Sequence, residues 1–317
     1  MADAILDVDL LAFERGAGSQ RRAVVEATLE SLKTGFVYTS HDIPTDVLDG
    51  AYELLATFFH LPAEVKQRYV APGTFGQTGY TGLLVETAAG HDAADWKEML
   101  NWSDDVPAGH PLRRKYPHRY VDRVLPDGDV PGITGVLMEF HARMADLQRR
   151  FLRIIAVAIG CDEAFFDDLL VDGSTLSRAI RYPPMPDAPG EAHVWAAEHG
   201  DINLVTALPR ATARGLQVRT EDGWVDAAAP EGYAVINTGI MLERLTNGLI
   251  PTGWHRVVAD PGAPGERYSV VQFCHPSPWM LLAPLPSCVT AERPARFGAI
   301  EAGDLLDRVL WEINLMS

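Results

Sequence analysis

The second half of the chain consists of short apolar stretches separated by turn sequences. This pattern restricts the folds that the chain can adopt. The candidate strands are residues 176–182, 203–208, 216–220, 232–239, 254–258 and a last stretch that begins at Arg267. Turn sequences such as EDG and TNG lie between them. Many short strands at this spacing predict a β-sandwich or a β-barrel.

The first half is typical of helices instead. Apolar residues recur there at spacings of three and four. Helices are predicted at residues 21–35, 45–61 and 132–160, with a short strand at 36–40 and a last amphipathic helix at 302–316. We therefore expect a mainly β protein with a helical N-terminal region over residues 1–150. A β-rich core closed by the last helix would occupy residues 151–317.

Charge and composition limit the classes of partner that the protein can bind. The 317 residues include 43 acidic and 27 basic side chains, a formal net charge of −16. Such a surface disfavours nucleic acid and anionic membranes. The three cysteines lack zinc or redox spacing, and neither a signal peptide nor a transmembrane run is predicted. We expect a soluble, cytoplasmic protein with a small-molecule substrate and no obligate protein partner.

A metal site is predicted within the β-rich half. His199 and Asp201 are two positions apart, so on a strand both side chains would leave the same face. His255 supplies a second imidazole. Two imidazoles and one carboxylate leave the opposite face of an octahedral Fe(II) open for O2 and a chelating substrate. The same ligands also suit Zn2+ and a hydrolytic water.

An Arg-x-Ser pair follows on a later candidate strand. Arg267 and Ser269 would share one face, where a guanidinium binds a carboxylate through two hydrogen bonds and the serine adds a donor. A structural ion pair is the alternative interpretation of Arg267. Taken alone, neither this pair nor the histidines identify a function.

Together, the motifs resemble those of a known family. They occur in this order: RYPPMP at 181–186, HGD at 199–201, Thr206, INTGIMLERLTNG at 236–248, HRV from His255, and Arg267 with Ser269. This order resembles the iron(II)/2-oxoglutarate-dependent dioxygenases of the isopenicillin N synthase-like superfamily. Residues 35–44 and 95–100 are similar to the N-terminal portion of that family.

The resemblance implies a fold and an activity. The fold would be a double-stranded β-helix (jelly-roll) core with a helical N-terminal region packed on it. Fe(II) would be held by His199, Asp201 and His255. The distal carboxylate of 2-oxoglutarate would be bound by Arg267, Ser269 and Tyr182. Decarboxylation of 2-oxoglutarate with O2 would release succinate and CO2 and oxidise a C–H bond.

Two features qualify that comparison. Ile180 stands where many plant members have asparagine. Asp201 is retained, whereas halogenating relatives lack this carboxylate, so hydroxylation, desaturation or cyclisation is favoured over halogenation.

The prime substrate should lie near the open face of the iron. Candidate contacts are Tyr80, Arg178, Asn203, Phe273 and His275. For each of them, packing in the core or a structural contact is the alternative. The substrate is predicted to be a small molecule of bacterial specialised metabolism or catabolism.

Three other functions remain open from the residues. One is an oxidase that uses the same iron ligands without 2-oxoglutarate, as the β-lactam-forming members do. The second is a non-catalytic binding protein on a jelly-roll scaffold, although the chain retains every motif residue. The third is zinc hydrolysis, which leaves Arg267, Ser269 and Tyr182 without a role.

Overall fold

The computed structural model describes residues 5–87, 93–190, 193–260 and 265–312. The helices in these ranges are α1 (Leu10–Arg15), α2 (Ser19–Ser31), α3 (Thr45–Phe59), α4 (Ala63–Gln67), α5 (Pro111–Lys115), α6 (Ile133–Ala158), α7 (Ile240–Leu245) and α8 (Ala302–Glu312). The strands are β1 (Asp7–Val8), β2 (Phe36–Ser40), β3 (Gly79–Thr81), β4 (Glu98–Ser103), β5 (Leu176–Tyr182), β6 (Ala196–His199), β7 (Val205–Leu208), β8 (Leu216–Thr220), β9 (Gly223–Asp226), β10 (Tyr233–Thr238), β11 (His255–Val257), β12 (Arg267–Cys274), β13 (Leu281–Leu282) and β14 (Ile300–Glu301).

Two sheets form the β core. The larger has eight strands in the order β1-β2-β10-β7-β12-β5-β4-β3, and the smaller has four in the order β6-β11-β8-β9. Only β1 and β2 pair in parallel among the described strands, while the other neighbours are antiparallel. Strands β13 and β14 form a separate pair.

Helix α6 covers one face of the large sheet. Its apolar residues recur at helical spacing, and Leu137, Phe140 and Phe151 are fully buried. Gln148, also fully buried, donates hydrogen bonds from its amide nitrogen to the carbonyl oxygens of Val205 (3.2 Å) and Gln272 (2.7 Å). These bonds fix the helix to β7 and β12, since a buried amide without partners would be costly.

A second apolar cluster contains residues of both sheets. Phe36 and Ile180 come from the large sheet, and Ala196 and Val218 from the small one. Trp195 belongs to the same cluster and donates from its indole nitrogen to the carbonyl oxygen of Pro183, at 2.8 Å. This cluster packs the two sheets together around the candidate site.

The structure follows most predicted elements, and shared elements join the two predicted regions. Strand β5 spans the predicted residues 176–182, but residue 150 falls inside α6. Strands β2, β3 and β4 of the N-terminal region also belong to the large sheet, so the two predicted regions are joined by main-chain hydrogen bonds. The closing helix is described as far as Glu312, and the rest of its predicted span lies outside the described residues. Within those residues, no helix is long and apolar enough to cross a membrane.

Candidate active site

The two predicted histidine ligands face each other across neighbouring strands. His199 ends β6, His255 begins β11, and the two residues are partners in the antiparallel register. The Nδ1 atom of His199 hydrogen-bonds to the carbonyl oxygen of Ala197 (2.8 Å), and that of His255 to the carbonyl oxygen of Gly253 (3.0 Å). Since a carbonyl only accepts, each Nδ1 carries the proton. In the neutral form of each ring, Nε2 then carries a free lone pair that can bind a metal.

Asp201 lies in a bent segment that follows the strand of His199. The expectation that His199 and Asp201 lie on one strand is wrong, because β6 ends at His199. The backbone carbonyl oxygen of Asp201 instead accepts a hydrogen bond from the amide of Ile240 (2.8 Å), at the start of α7. That long-range bond holds the bent segment in place, beside the two imidazoles.

One oxygen of the Asp201 carboxylate is fixed by two donors. Its Oδ2 accepts from Thr206 Oγ1 (2.5 Å) and from Asn237 Nδ2 (2.7 Å), which are partners on β7 and β10. Burial alone would raise the pKa of Asp201, but His255, His199 and these donors hold it below its usual value. The carboxylate is therefore ionised, and its Oδ1 makes no protein hydrogen bond among the described residues.

These three side chains fit an Fe(II) ion. One ligand atom from each of His199, Asp201 and His255 lies within 4.8 Å of the others. Burial and then the neighbouring His199 lower the pKa of His255 to about 4, so its imidazole is neutral near pH 7. Two imidazole nitrogens and a carboxylate oxygen converge at this point. This donor set fits the facial arrangement that leaves positions open on iron.

Arg267 is a buried cation that lacks an acidic partner among the described residues. Arg267 is 2% exposed. Its guanidinium donates to the carbonyl oxygen of Ala213 (3.1 Å) and to Ser269 Oγ (3.2 Å). Its guanidinium carbon lies 5.0 Å from the ring centre of Tyr182, its partner on β5. No carboxylate in the described part of the chain pairs with it, although 23 ion pairs occur there. A buried unpaired guanidinium calls for an anion, and the distal carboxylate of 2-oxoglutarate fits.

A cavity of about 330 Å³ connects the histidines and Asp201 to Arg267, Ser269 and Tyr182. Of the five predicted substrate contacts, three line it: Arg178, Phe273 and His275. Arg178 and Tyr182 alternate along β5, and Arg267, Ser269 and Phe273 alternate along β12, because neither strand is interrupted by a bulge.

The structure places Tyr80 and Asn203 away from the position that the substrate prediction requires. The Tyr80 hydroxyl donates to Glu98 Oε2 and lines a separate cavity with Lys66. Asn203 is fully buried and donates to Thr206 Oγ1 (2.8 Å). Asn203 therefore supports the hydroxyl that holds Asp201.

Sequence reasoning assigned no catalytic or binding role to several cavity residues. Asn237 was visible only as part of a motif, and its bond to Asp201 depends on the pairing of β7 with β10. Glu86 and Lys97 also line the cavity. They come from the N-terminal region, so no local spacing relates them to the histidines.

Fold and site together define a class of protein. Facing sheets that carry two imidazoles and a carboxylate, beside a buried arginine with no acidic partner in the described ranges, are the features of a non-haem iron oxygenase with an anionic cosubstrate.

Comparison with known proteins agrees with this class. Residues 174–276 match the 2OG-Fe(II) oxygenase superfamily, and residues 6–127 match the family described as non-haem dioxygenase in morphine synthesis N-terminal. A 2-oxoglutarate-Fe(II) type oxidoreductase of Aspergillus fumigatus is 30% identical over 81% of this chain and 78% of its own.

Solved structures extend the similarity to nearly the whole chain. A 2OG-Fe(II) oxygenase family protein from Caulobacter crescentus has a TM-score of 0.85 at 32% identity, covering 99% of this chain and 100% of that one. A full-length Neurospora crassa protein, in complex with 2-oxoglutarate and thymine, has a TM-score of 0.85 at 25% identity, covering 98% and 99%.

The chain belongs to the 2-oxoglutarate- and iron(II)-dependent oxygenases of the isopenicillin N synthase-like superfamily. It is an oxidoreductase that uses Fe(II), 2-oxoglutarate and O2. The predicted jelly-roll core is confirmed. The prediction of a 2-oxoglutarate-dependent enzyme is thereby confirmed, in preference to an oxidase that uses no cosubstrate.

Proposed function

We propose that this enzyme oxidises a C–H bond of a small molecule by hydroxylation, desaturation or cyclisation, with release of succinate and CO2. The observation that carries the proposal is the cavity that joins His199, Asp201 and His255 to Arg267, which has no acidic partner among the described residues. A substrate in that cavity would lie beside both the metal and the cosubstrate.

The metal ligands have distinct tasks in this proposal. His199 and His255 would bind Fe(II) through Nε2, while their Nδ1 bonds hold the rings in place. Asp201 would bind through Oδ1 and occupy the position that a halide needs, which disfavours halogenation. When bound, Fe(II) with 2-oxoglutarate and O2 supplies oxidative decarboxylation and the oxidation of the substrate C–H bond.

Three residues would bind the cosubstrate. Arg267 would pair with the distal carboxylate of 2-oxoglutarate, and Ser269 would donate a further hydrogen bond. Tyr182 would donate from its hydroxyl, which makes no hydrogen bond to any described residue. The apolar cluster of Ile180 and Val257 beside them would exclude water from this end.

The cavity favours a compact prime substrate. Its volume of about 330 Å³ is at the lower end of the range for ligand pockets, roughly 300 to 1,000 Å³, and 2-oxoglutarate must share it. The thymine held by the Neurospora crassa protein is a molecule of suitable size. We further propose that the reaction belongs to bacterial specialised metabolism or catabolism. The similarity to a Caulobacter crescentus protein supports a bacterial setting.

Anaerobic titration with Fe(II), with and without 2-oxoglutarate, tests the metal and cosubstrate roles. We expect a visible charge-transfer band that needs both components and is absent from His199→Ala. Turnover of a substrate should then release succinate in proportion to product. Product formation without succinate would refute 2-oxoglutarate dependence, and wild-type iron binding by His199→Ala would refute the ligand assignment.

A further inference from the structure

Arg178 occupies the part of the cavity that the cosubstrate does not need. Tyr182 and Arg267 are partners at one end of the β5–β12 pair, whereas Leu176 and Phe273 are partners at the other. Arg178 is four residues from Tyr182, about 13 Å along the strand. Its side chain therefore faces a compartment beyond the reach of the Arg267 guanidinium.

Arg178 is held rigidly but keeps free donors. Its Nε donates to Asn101 Oδ1 (2.7 Å), and its guanidinium carbon lies 5.3 Å from the ring centre of Phe273. Asn101 is fully buried and is itself fixed by a bond to the carbonyl oxygen of Gly79 (3.2 Å). The two terminal nitrogens of Arg178 make no hydrogen bond within the described part of the chain.

Glu86 places an acceptor next to those donors. Its Oε2 is buried without a hydrogen bond from any described residue and lies 3.6 Å from Arg178 Nη1, while its Oε1 lies 3.5 Å from Lys97 Nζ. Burial alone would raise the pKa of Glu86, but Lys97 and Arg178 hold it below its usual value. Buried polar atoms in proteins are normally hydrogen-bonded. A bound ligand that donates to Glu86 Oε2 would supply the missing hydrogen bond.

Charge at this end is balanced. Arg178 pairs with Glu86, and Lys97 pairs with Asp95 at 2.8 Å. At the other end, Arg267 and the net positive charge of iron with its ligands match the two charges of 2-oxoglutarate. A charged prime substrate would leave a buried charge uncompensated, which is strongly unfavourable. The arrangement of described residues therefore selects an uncharged substrate.

We propose that the prime substrate is a small, uncharged ring amide, a lactam or an imide, whose carbonyl accepts from Arg178 and whose N–H donates to Glu86. Arg178 Nη1 and Glu86 Oε2 are close enough to meet one edge that carries both groups side by side. An acyclic secondary amide strongly prefers the trans form and directs the two groups apart, whereas a ring fixes them side by side. The inference rests on the proposed function, because it assumes that 2-oxoglutarate occupies the Arg267 end.

Binding to the anaerobic complex with Fe(II) and 2-oxoglutarate tests this inference by calorimetry. The ring amides are uracil, 2-pyridone and 2-pyrrolidinone. Two analogues of uracil are matched controls: 1,3-dimethyluracil lacks the N–H donors, and orotate adds a carboxylate. We expect at least one ring amide to bind, and both analogues to bind at least 10-fold more weakly than uracil.

Variants assign the contacts. Arg178→Lys should weaken binding of the ring amide at least 10-fold, because lysine cannot keep both the Asn101 bond and the substrate bond. Glu86→Gln should shift preference from uracil towards orotate, since it leaves Arg178 without its compensating charge. Arg143→Lys, at an exposed arginine of α6 paired with Glu139, is the control and should bind as the wild type does.

The outcomes separate this inference from the proposed function. If the complex binds 2-oxoglutarate but no ring amide, or binds orotate or dimethyluracil as tightly as uracil, the substrate class is wrong and the oxygenase assignment stands. Unchanged ring-amide binding by Arg178→Lys overturns the contact. If 2-oxoglutarate itself fails to bind to the wild-type protein, the proposed function fails first.

Discussion

Replacement of Arg267 by methionine should separate cosubstrate binding from folding. Arg267 is 2% exposed and has no carboxylate partner among the described residues. Its two protein hydrogen bonds contribute about 1 kcal/mol each. Relief of the buried charge offsets that loss, because unpaired buried charges are costly. The apoprotein of Arg267→Met should therefore unfold within about 1 kcal/mol of the wild type.

The effect on 2-oxoglutarate should be much larger. A guanidinium that holds a carboxylate through two charge-assisted bonds contributes at least about 3 kcal/mol. That is a loss of roughly 100-fold in affinity, since about 1.4 kcal/mol corresponds to a factor of ten. At a concentration about 100 times the wild-type Kd, 2-oxoglutarate stabilises the wild type by about 2.7 kcal/mol and the variant by about 0.4 kcal/mol.

Urea unfolding of the apoprotein measures the first quantity, and urea unfolding under anaerobic Fe(II), with and without 2-oxoglutarate, measures the second. Arg150→Met is a matched control, because Arg150 of α6 is paired with Glu14 and Asp42 and does not line the cavity. This control should lower the stability of the apoprotein and keep the full stabilisation by 2-oxoglutarate. The reasoning would be refuted if the Arg267→Met apoprotein were destabilised while 2-oxoglutarate still stabilised the variant as much as the wild type. Arg267 would then have a structural role.

Three further predictions concern the supports of the site. Asn237→Ala removes one donor from Asp201 and should lower Fe(II) affinity by about 10- to 100-fold; metal titration that gives the wild-type value would contradict this. Burial, then nearby arginines, lower the pKa of His275 to about 4, whereas the unfolded chain takes up this proton near pH ~6.5. The apoprotein should therefore lose stability as pH falls from about 6.5 to 4, with on the order of 3 kcal/mol contributed by His275, and His275→Phe should reduce that slope in urea unfolding while the part due to His255 remains. Gly253→Ala would place a methyl group 2.6 Å from a facing carbonyl oxygen and disturb the residue that accepts from His255; we expect a loss of about 1–3 kcal/mol and weaker Fe(II) binding, and a wild-type unfolding midpoint would argue against it.

Strand periodicity explains what could be predicted from the sequence. Side chains two apart share a face as long as no bulge intervenes, and the β5–β12 register runs unbroken from Arg267 with Tyr182 to Phe273 with Leu176. The alternating positions along both strands therefore line the cavity as predicted. The same rule failed at Asp201, where a bent segment held by the amide of Ile240 replaces the expected strand.

Contacts between distant segments explain what the sequence could not show. Tyr80 was a reasonable candidate as an aromatic residue in a glycine-containing loop, but β3 joins the edge of the large sheet and the hydroxyl turns to Glu98. Asn203 lies close to Asp201 in sequence, and its amide is used to support Thr206 instead. Both outcomes depend on tertiary partners that no local pattern specifies.

The two cavity arginines illustrate this limit most clearly. Arg178 and Arg267 lie on adjacent strands, and nothing in their flanking residues distinguishes a compensated guanidinium from an uncompensated one. The difference arises because the N-terminal region brings Glu86 and Asn101 to Arg178 and brings no carboxylate to Arg267 among the described residues. A compensated arginine recognises a neutral acceptor, and an uncompensated one binds an anion. The N-terminal region therefore decides which end of the cavity takes the dianionic cosubstrate and which end takes an uncharged substrate.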